Sequence, residues 1–157
     1  GLMVLRAAEL ARAGKSVDEI EQHLAKLRQG SNIIFTVDTL EYLHKGGRIN
    51  WAAAFLGNLL QFKPILTFQN GKIVTKAKVR GREALLPKVL ELLDEGVPKN
   101  CPVRFCVVHS RRPEMLGVLT PILKQRFQVS SIESQSIGAV IGAHIGPGAW
   151  GVAWQTE

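Results

Sequence analysis

Cysteine is scarce in this 157-residue chain, which has only Cys101 and Cys106. Two cysteines cannot make a disulfide framework. Both lie near one apolar run, Cys101–His109, whose composition predicts a strand. Five strand residues span roughly 16 Å, whereas a disulfide holds its Cα atoms about 4.4–6.8 Å apart. As strand residues the two are not bonded to each other, which favours a reducing compartment. Histidine is also sparse. His23, His44, His109 and His144 show no paired metal-ligand spacing. The chain has no phosphate-loop lysine motif and no H-E-x-x-H. Cys106 and His109, three apart on a strand, fall on opposite faces and make a poor nucleophile–base pair. Internal repeats, low-complexity tracts and linkers are lacking too.

Targeting and membrane signals are equally thin. Arg6 and Glu9 interrupt the apolar residues at the start, and no small-residue cleavage site follows. Gly1 is not an initiator methionine, so the chain is expected to begin inside a longer one. Ile137–Ala153 carries no charge, and Gly138, Gly142 and Gly146 recur four apart, as in small-residue membrane packing. The run is at the short limit for a span and contains His144 and Pro147, so no membrane span is expected. Gly146-Pro147-Gly148-Ala149-Trp150-Gly151 spells G-x-G-x-x-G. No helix pattern and no acidic residue ~20 positions further on follows it, so it is not a dinucleotide fingerprint.

The chain does have enough apolar residues for one core. It is 46% hydrophobic, and a domain of ~150 residues buries roughly 70% of its unfolded surface. Residues 2–13 read as a helix ended by Gly14. Ser16-Val17-Asp18-Glu19 spells a capping box opening a second helix, with Val17, Ile20, Leu24 and Leu27 at helical spacing. Asn32–Val37 reads as a strand. Asp38-Thr39-Leu40-Glu41 spells a second capping box before a short helix closed by Gly46-Gly47. Asn50 is a candidate cap for an apolar helix over Trp51–Leu60. Pro64–Phe68 and Ile73–Val79 form a hairpin through Asn70-Gly71, the residue pair a type I′ turn favours. A helix is expected over Gly81–Glu95, a central strand over Val103–His109, and a helix from Pro113 to about Phe127 that Pro121, lying within it, should kink or shorten. Gln128–Ser134 and Ala149–Gln155 read as strands, with a short apolar turn or helix over Gly138–His144 between them. The fold class is α/β: a mixed, largely antiparallel sheet packed with helices.

Two polar side chains stand in apolar, glycine-rich surroundings. Arg48 follows Gly46-Gly47. His144 lies within Ile141-Gly142-Ala143-His144-Ile145-Gly146-Pro147-Gly148. Meeting in one apolar pocket, a guanidinium and an imidazole would suit a carboxylate or phosphate head group with a greasy tail. As separate residues, Arg48 is a surface residue after a helix cap and His144 a satisfied core histidine. Lys72, Lys76, Lys78 and Arg80 share the other face of their strand from Ile73, Thr75, Ala77 and Val79. With the net charge of +7, that face permits an acidic partner. A basic nucleic-acid-binding module is the alternative reading. No aromatic platform interleaves with these charges and no recognition-helix motif occurs, so nucleic acid is disfavoured.

The string from Phe35 to Ile49, with its Leu40-Glu41-Tyr42-Leu43-His44-Lys45-Gly46-Gly47-Arg48 core, resembles the signature of the DegV family of fatty-acid-binding proteins. Lys63-Pro64-Ile65-Leu66 before the hairpin, Val79-Arg80-Gly81-Arg82, and Ile141 to Gly148 complete the pattern in order. The resemblance runs through all 157 residues, and they correspond to the C-terminal lobe of a two-lobed α/β carrier, without the N-terminal lobe. It implies a long-chain fatty acid as ligand, no cofactor, no catalytic residue and a cytoplasmic location. Arg48 and His144 would bind the carboxylate, while Ile49, Phe55 and Leu56 would line the acyl tail. Arg80 and Arg82 would face an ATP-dependent kinase subunit that converts the bound acid to an acyl phosphate for phospholipid synthesis in bacteria. Without the other lobe, lipid binding is expected to be weak and the exposed apolar face to favour self-association.

Overall fold

The structure, a computed structural model, describes residues 1–48 and 62–157. The helix expected over Trp51–Leu60 lies outside the described residues, as do Ile49, Phe55 and Leu56. Two helices open the chain, α1 (Leu2–Arg12) and α2 (Val17–Leu27). The capping box forms as spelled: the Ser16 hydroxyl accepts from the Glu19 amide, and the Glu19 carboxylate accepts from the Ser16 amide. Then come β1 (Ser31–Thr36), α3 (Glu41–Lys45), β2 (Phe62–Gln69) and β3 (Lys72–Arg80). The turn between β2 and β3 has positive φ at both Asn70 (51°) and Gly71 (75°), as a type I′ turn requires. The remaining elements are α4 (Leu85–Gly96), β4 (Val103–His109), α5 (Glu114–Arg126), β5 (Val129–Ser136), α6 (Ala139–Ile145) and β6 (Trp150–Thr156).

The six strands make one sheet in the order β3-β2-β1-β6-β4-β5. Every neighbouring pair is antiparallel except β4 and β5. Those two run parallel because α5 supplies the crossover a parallel pair needs. The main core lies on one face of the sheet, where Val89 and Leu93 of α4 and Leu119 and Leu123 of α5 pack on Ile34, Ile65, Phe105, Val107 and Val152. The other face carries a smaller core of Phe35, Val37, Leu40, Leu43, Leu66, Ile145 and Ala149, centred on α3 and α6. On β4, Val103, Phe105 and Val107 are buried while Arg104, Cys106 and Val108 are half-buried. Arg104 ties α1 to the sheet: its guanidinium donates to both carboxylate oxygens of Glu9, at 2.7 and 3.2 Å, and to Glu157 at 3.1 Å. The Arg104 guanidinium, with that of Arg6 second, holds the Glu9 carboxyl below its ordinary range.

Two expectations need correction. The second capping box does not form. α3 begins at Glu41 with no side-chain cap from Asp38; the Thr39 hydroxyl accepts from the Glu41 amide instead. Asp38 is committed elsewhere, to an ion pair with Arg82 at 2.8 Å. The helix expected from Gly81 begins only at Leu85, because Gly81 sits at φ 80° and a turn intervenes, with the Leu85 amide donating to the Arg82 carbonyl. Pro121, by contrast, does not end α5, which continues to Arg126. Both cysteines are free.

The capping box yields a pH test. The Lys15 ammonium, at 2.8 Å, and the Ser16 amide, at 2.9 Å, bring the Glu19 carboxyl down to about 2 from 4.5. A carboxyl lowered on folding contributes stability above its unfolded value and loses it as pH falls toward the folded one. Thermal denaturation should therefore show Glu19→Gln less stable than the parent at neutral pH. The gap should close as pH drops from about 5 to about 2. A gap independent of pH would contradict this assignment.

Candidate functional site

The pairing of β1 with β6 builds the site. Thr36 lies opposite Trp150 in an antiparallel register. The chain leaving β1 and the chain entering β6 therefore share one end of the sheet. The segment that follows β1 carries α3, the segment that precedes β6 carries α6, and the two helices pack together. Leu43 of α3 and Ile145 of α6 are both buried in the smaller core.

Beneath them is a cavity of about 310 Å³. Ile33 and Phe35 of β1, Phe68 and Ile73 of the hairpin and Val108 of β4 line it from the sheet. Leu43, Ile137, Ile141 and Ile145 line it from the helical side. Among the described residues, Arg48 and His144 are the two titratable side chains on an otherwise apolar lining. Arg48 is exposed, and its guanidinium donates to the Gly46 carbonyl at 2.7 Å. His144 is half-buried, and its Nδ1 is buried with no hydrogen-bond partner. A second, wider hollow of about 750 Å³ lies toward the start of α1 and is bordered by Met3, Arg28, Asn32 and Ala153. The two hollows share Ile33 and Phe68, so an apolar floor runs between them.

The other residues singled out from the sequence lie apart from this cavity. Lys72, Lys76, Lys78 and Arg80 are exposed on β3, an edge strand that Arg80 ends, but they do not share one face as expected: a bulge opposite Ile65 and Leu66 breaks the alternation, so Ile73 packs on the smaller core and Ala77 and Val79 on the main one. Arg82 pairs with Asp38 and borders a separate hollow of about 250 Å³ with Arg112, Glu114 and Met115. Neither Arg80 nor Arg82 lines the Arg48–His144 cavity. Among the described residues, no group of histidine, cysteine and carboxylate side chains could hold a metal ion, and no helix is long and apolar enough to cross a membrane. Burial, with the neighbouring Glu133 carboxylate second, pushes the Cys106 thiol above its ordinary range.

Sequence reasoning missed most of the apolar lining. A usable signal was present in β1, where Ile33, Ile34 and Phe35 are consecutive. A strand that is apolar on both faces needs cover on both faces. Ile34 meets the main core, while Ile33 and Phe35 face the cavity.

Comparison with known proteins identifies the lineage. All of residues 1–157 match a family described as "Uncharacterised protein, DegV family". The chain belongs to the DegV family. It is 38% identical over 155 residues to Protein DegV of Bacillus subtilis, covering 98% of this chain and 55% of that protein. A DegV domain-containing protein of Deinococcus radiodurans is 39% identical over 155 residues, covering 98% and 54%. The chain thus spans about half the length of these DegV relatives. Among solved structures, a Thermus thermophilus DegV family protein described for its fatty acid binding superposes with a TM-score of 0.90 at 32% identity, covering 100% of this chain and 56% of that one. The Bacillus subtilis DegV structure, described as a fatty acid binding protein, gives 0.84 at 37% identity, with coverage of 100% and 56%.

An apolar cavity of this kind should take up an amphipathic dye. The parent is expected to enhance anilinonaphthalene sulfonate fluorescence, and Val108→Trp, which fills the hollow from β4, should abolish most of that enhancement without lowering the melting temperature. Undiminished enhancement in a folded Val108→Trp protein would place the dye elsewhere.

Proposed function

We propose that this chain binds a long-chain fatty acid in the cavity beneath α3 and α6. The Arg48 guanidinium and the His144 imidazole receive the carboxylate, and the acyl tail lies on the apolar lining. One observation carries the reading: among the described residues, a guanidinium and an imidazole share a cavity whose remaining lining is apolar. The likeness to DegV family structures described as fatty acid binding supports it. Physically, each buried methylene contributes ~0.8 kcal/mol, and the carboxylate needs hydrogen-bond donors to leave water.

On this reading the chain is the C-terminal lobe of a two-lobed carrier. Large apolar side chains around the cavity are open to solvent: Phe68 at 48%, Ile141 at 58% and, on the same helix, Val140 at 79%. A second lobe covers this face; without one, a second copy of the chain does. The carrier itself is not a catalyst. It presents the carboxylate to a separate ATP-dependent kinase subunit. There a carboxylate oxygen bonds to the γ-phosphorus as its bond to the bridging oxygen breaks, giving an acyl phosphate and ADP. The exposed basic strand end at Arg80, with Arg82 beside it, is the surface that meets the kinase subunit in the cytoplasm.

Two variants of the protein expressed from its complete coding region test these roles. His144→Ala should lower the fatty acid that copurifies, measured by mass spectrometry; equal lipid in variant and parent would remove His144 from the head-group site. Arg80→Ala should keep its lipid while slowing acyl phosphate formation by the kinase subunit. Unchanged turnover would take the docking role away from Arg80.

A further inference from the structure

We propose that Gly46 is a positioning residue for the head-group end of the cavity, acting on His144 through its lack of a side chain and on Arg48 through its carbonyl. The consequence for ligand binding rests on the fatty-acid reading above; the positioning itself does not.

The two glycines that close α3 are glycines for different reasons. Gly47 has φ 66° and open space where a Cβ would stand. The Arg48 amide donates to the Leu43 carbonyl and the Gly47 amide to the His44 carbonyl, so Gly47 is the left-handed residue of a Schellman stop. Gly46 has φ −76° and ψ −4°, ordinary right-handed backbone that alanine would adopt with ease. Its constraint is space. A Cβ there would lie 2.3 Å from His144 Nδ1 and 3.2 Å from His144 Cε1. The imidazole of α6 therefore rests directly on the backbone that caps α3.

A reciprocal contact fixes the pair. At Gly146, which caps α6, a Cβ would lie 2.4 Å from Cδ2 of Tyr42. Each helix thus sets a ring on the capping glycine of the other, and neither ring can turn toward its neighbour without meeting backbone. The contact also selects among the ring nitrogens. Nδ1 is buried against Gly46 with no partner. A proton there would be a buried donor with nothing to receive it. The neutral ring then keeps its proton on Nε2, the nitrogen left for a ligand, and can donate it to a carboxylate. On its other side Gly46 accepts the Arg48 guanidinium at 2.7 Å. One residue without a side chain thus bears on both groups assigned to the head group.

The test uses the protein from its complete coding region, labelled with ¹⁵N-histidine, and palmitate as probe. The parent should show the Nε2–H tautomer at His144. Gly46→Ala should disturb that signature and weaken palmitate binding by about tenfold or more, the scale of coupling between touching residues. In a His144→Ala background, where the tightest contact is gone and the Tyr42 carbonyl at 3.1 Å remains, Gly46→Ala should cost no further affinity and little melting temperature. If Gly46→Ala alone fails to fold, the double variant should still fold as well as His144→Ala. Equal losses from Gly46→Ala in both backgrounds, or an unchanged histidine spectrum in the single variant, would overturn the proposal. A changed spectrum and a coupled melting temperature in a protein that takes up no palmitate would uphold the positioning role and defeat the fatty-acid reading instead.

Discussion

The last strand of the chain runs antiparallel to the first, in the middle of the sheet, and the rest of the molecule is arranged around that ladder. Its register sets Ser31 opposite Gln155 and Thr36 opposite Trp150. Sliding it by one residue would turn Ile34 and Val152 away from the main core and break both faces at once. The same register decides which loops meet. The residues after Thr36 and those before Trp150 come together although the sequence separates them by most of its length. Arg48 and His144 share a cavity for that reason, and so does the Asp38–Arg82 pair lie close to the same strand end.

Local patterns in the sequence were legible where local physics decides. The Ser16–Glu19 box forms because both partners lie within one turn of helix and nothing else competes for them. The hairpin forms because Asn70 and Gly71 tolerate the backbone the turn requires. Among the described residues, the strands and helices are present close to where apolar pattern put them, and the sheet is mixed and largely antiparallel as expected. The second capping box reads as well as the first on paper. It fails because Arg82, far along the chain, takes the Asp38 carboxylate, a competition no local window contains. The neighbours of β6 were likewise not readable: strand order is set by which faces bury together, not by any single segment.

The site was legible as two isolated polar residues in unusual settings, and no further. What the sequence concealed was the lining that gives them meaning. Ile33, Phe35, Phe68, Ile73 and Val108 come from four strands that alternate into the same hollow. Each alone reads as an ordinary core residue. The glycines were read as stops and as permission for close approach; their division of labour, Gly47 for its backbone and Gly46 for its vacancy, needed coordinates. On the proposed reading the cavity supplies two donors and part of an apolar wall. A carboxylate leaving water must be paired and hydrogen-bonded. On that reading a second lobe completes the carrier, and the relatives this chain matches are about twice as long.

The most direct measurement of the central claim is a crystal structure of the protein with palmitate bound. The account predicts carboxylate oxygens within about 3 Å of the Arg48 guanidinium and of His144 Nε2, with the hydrocarbon running over Phe35, Ile33 and Phe68. A palmitate seated with its carboxylate away from both side chains, or on the opposite face of the sheet, would contradict it.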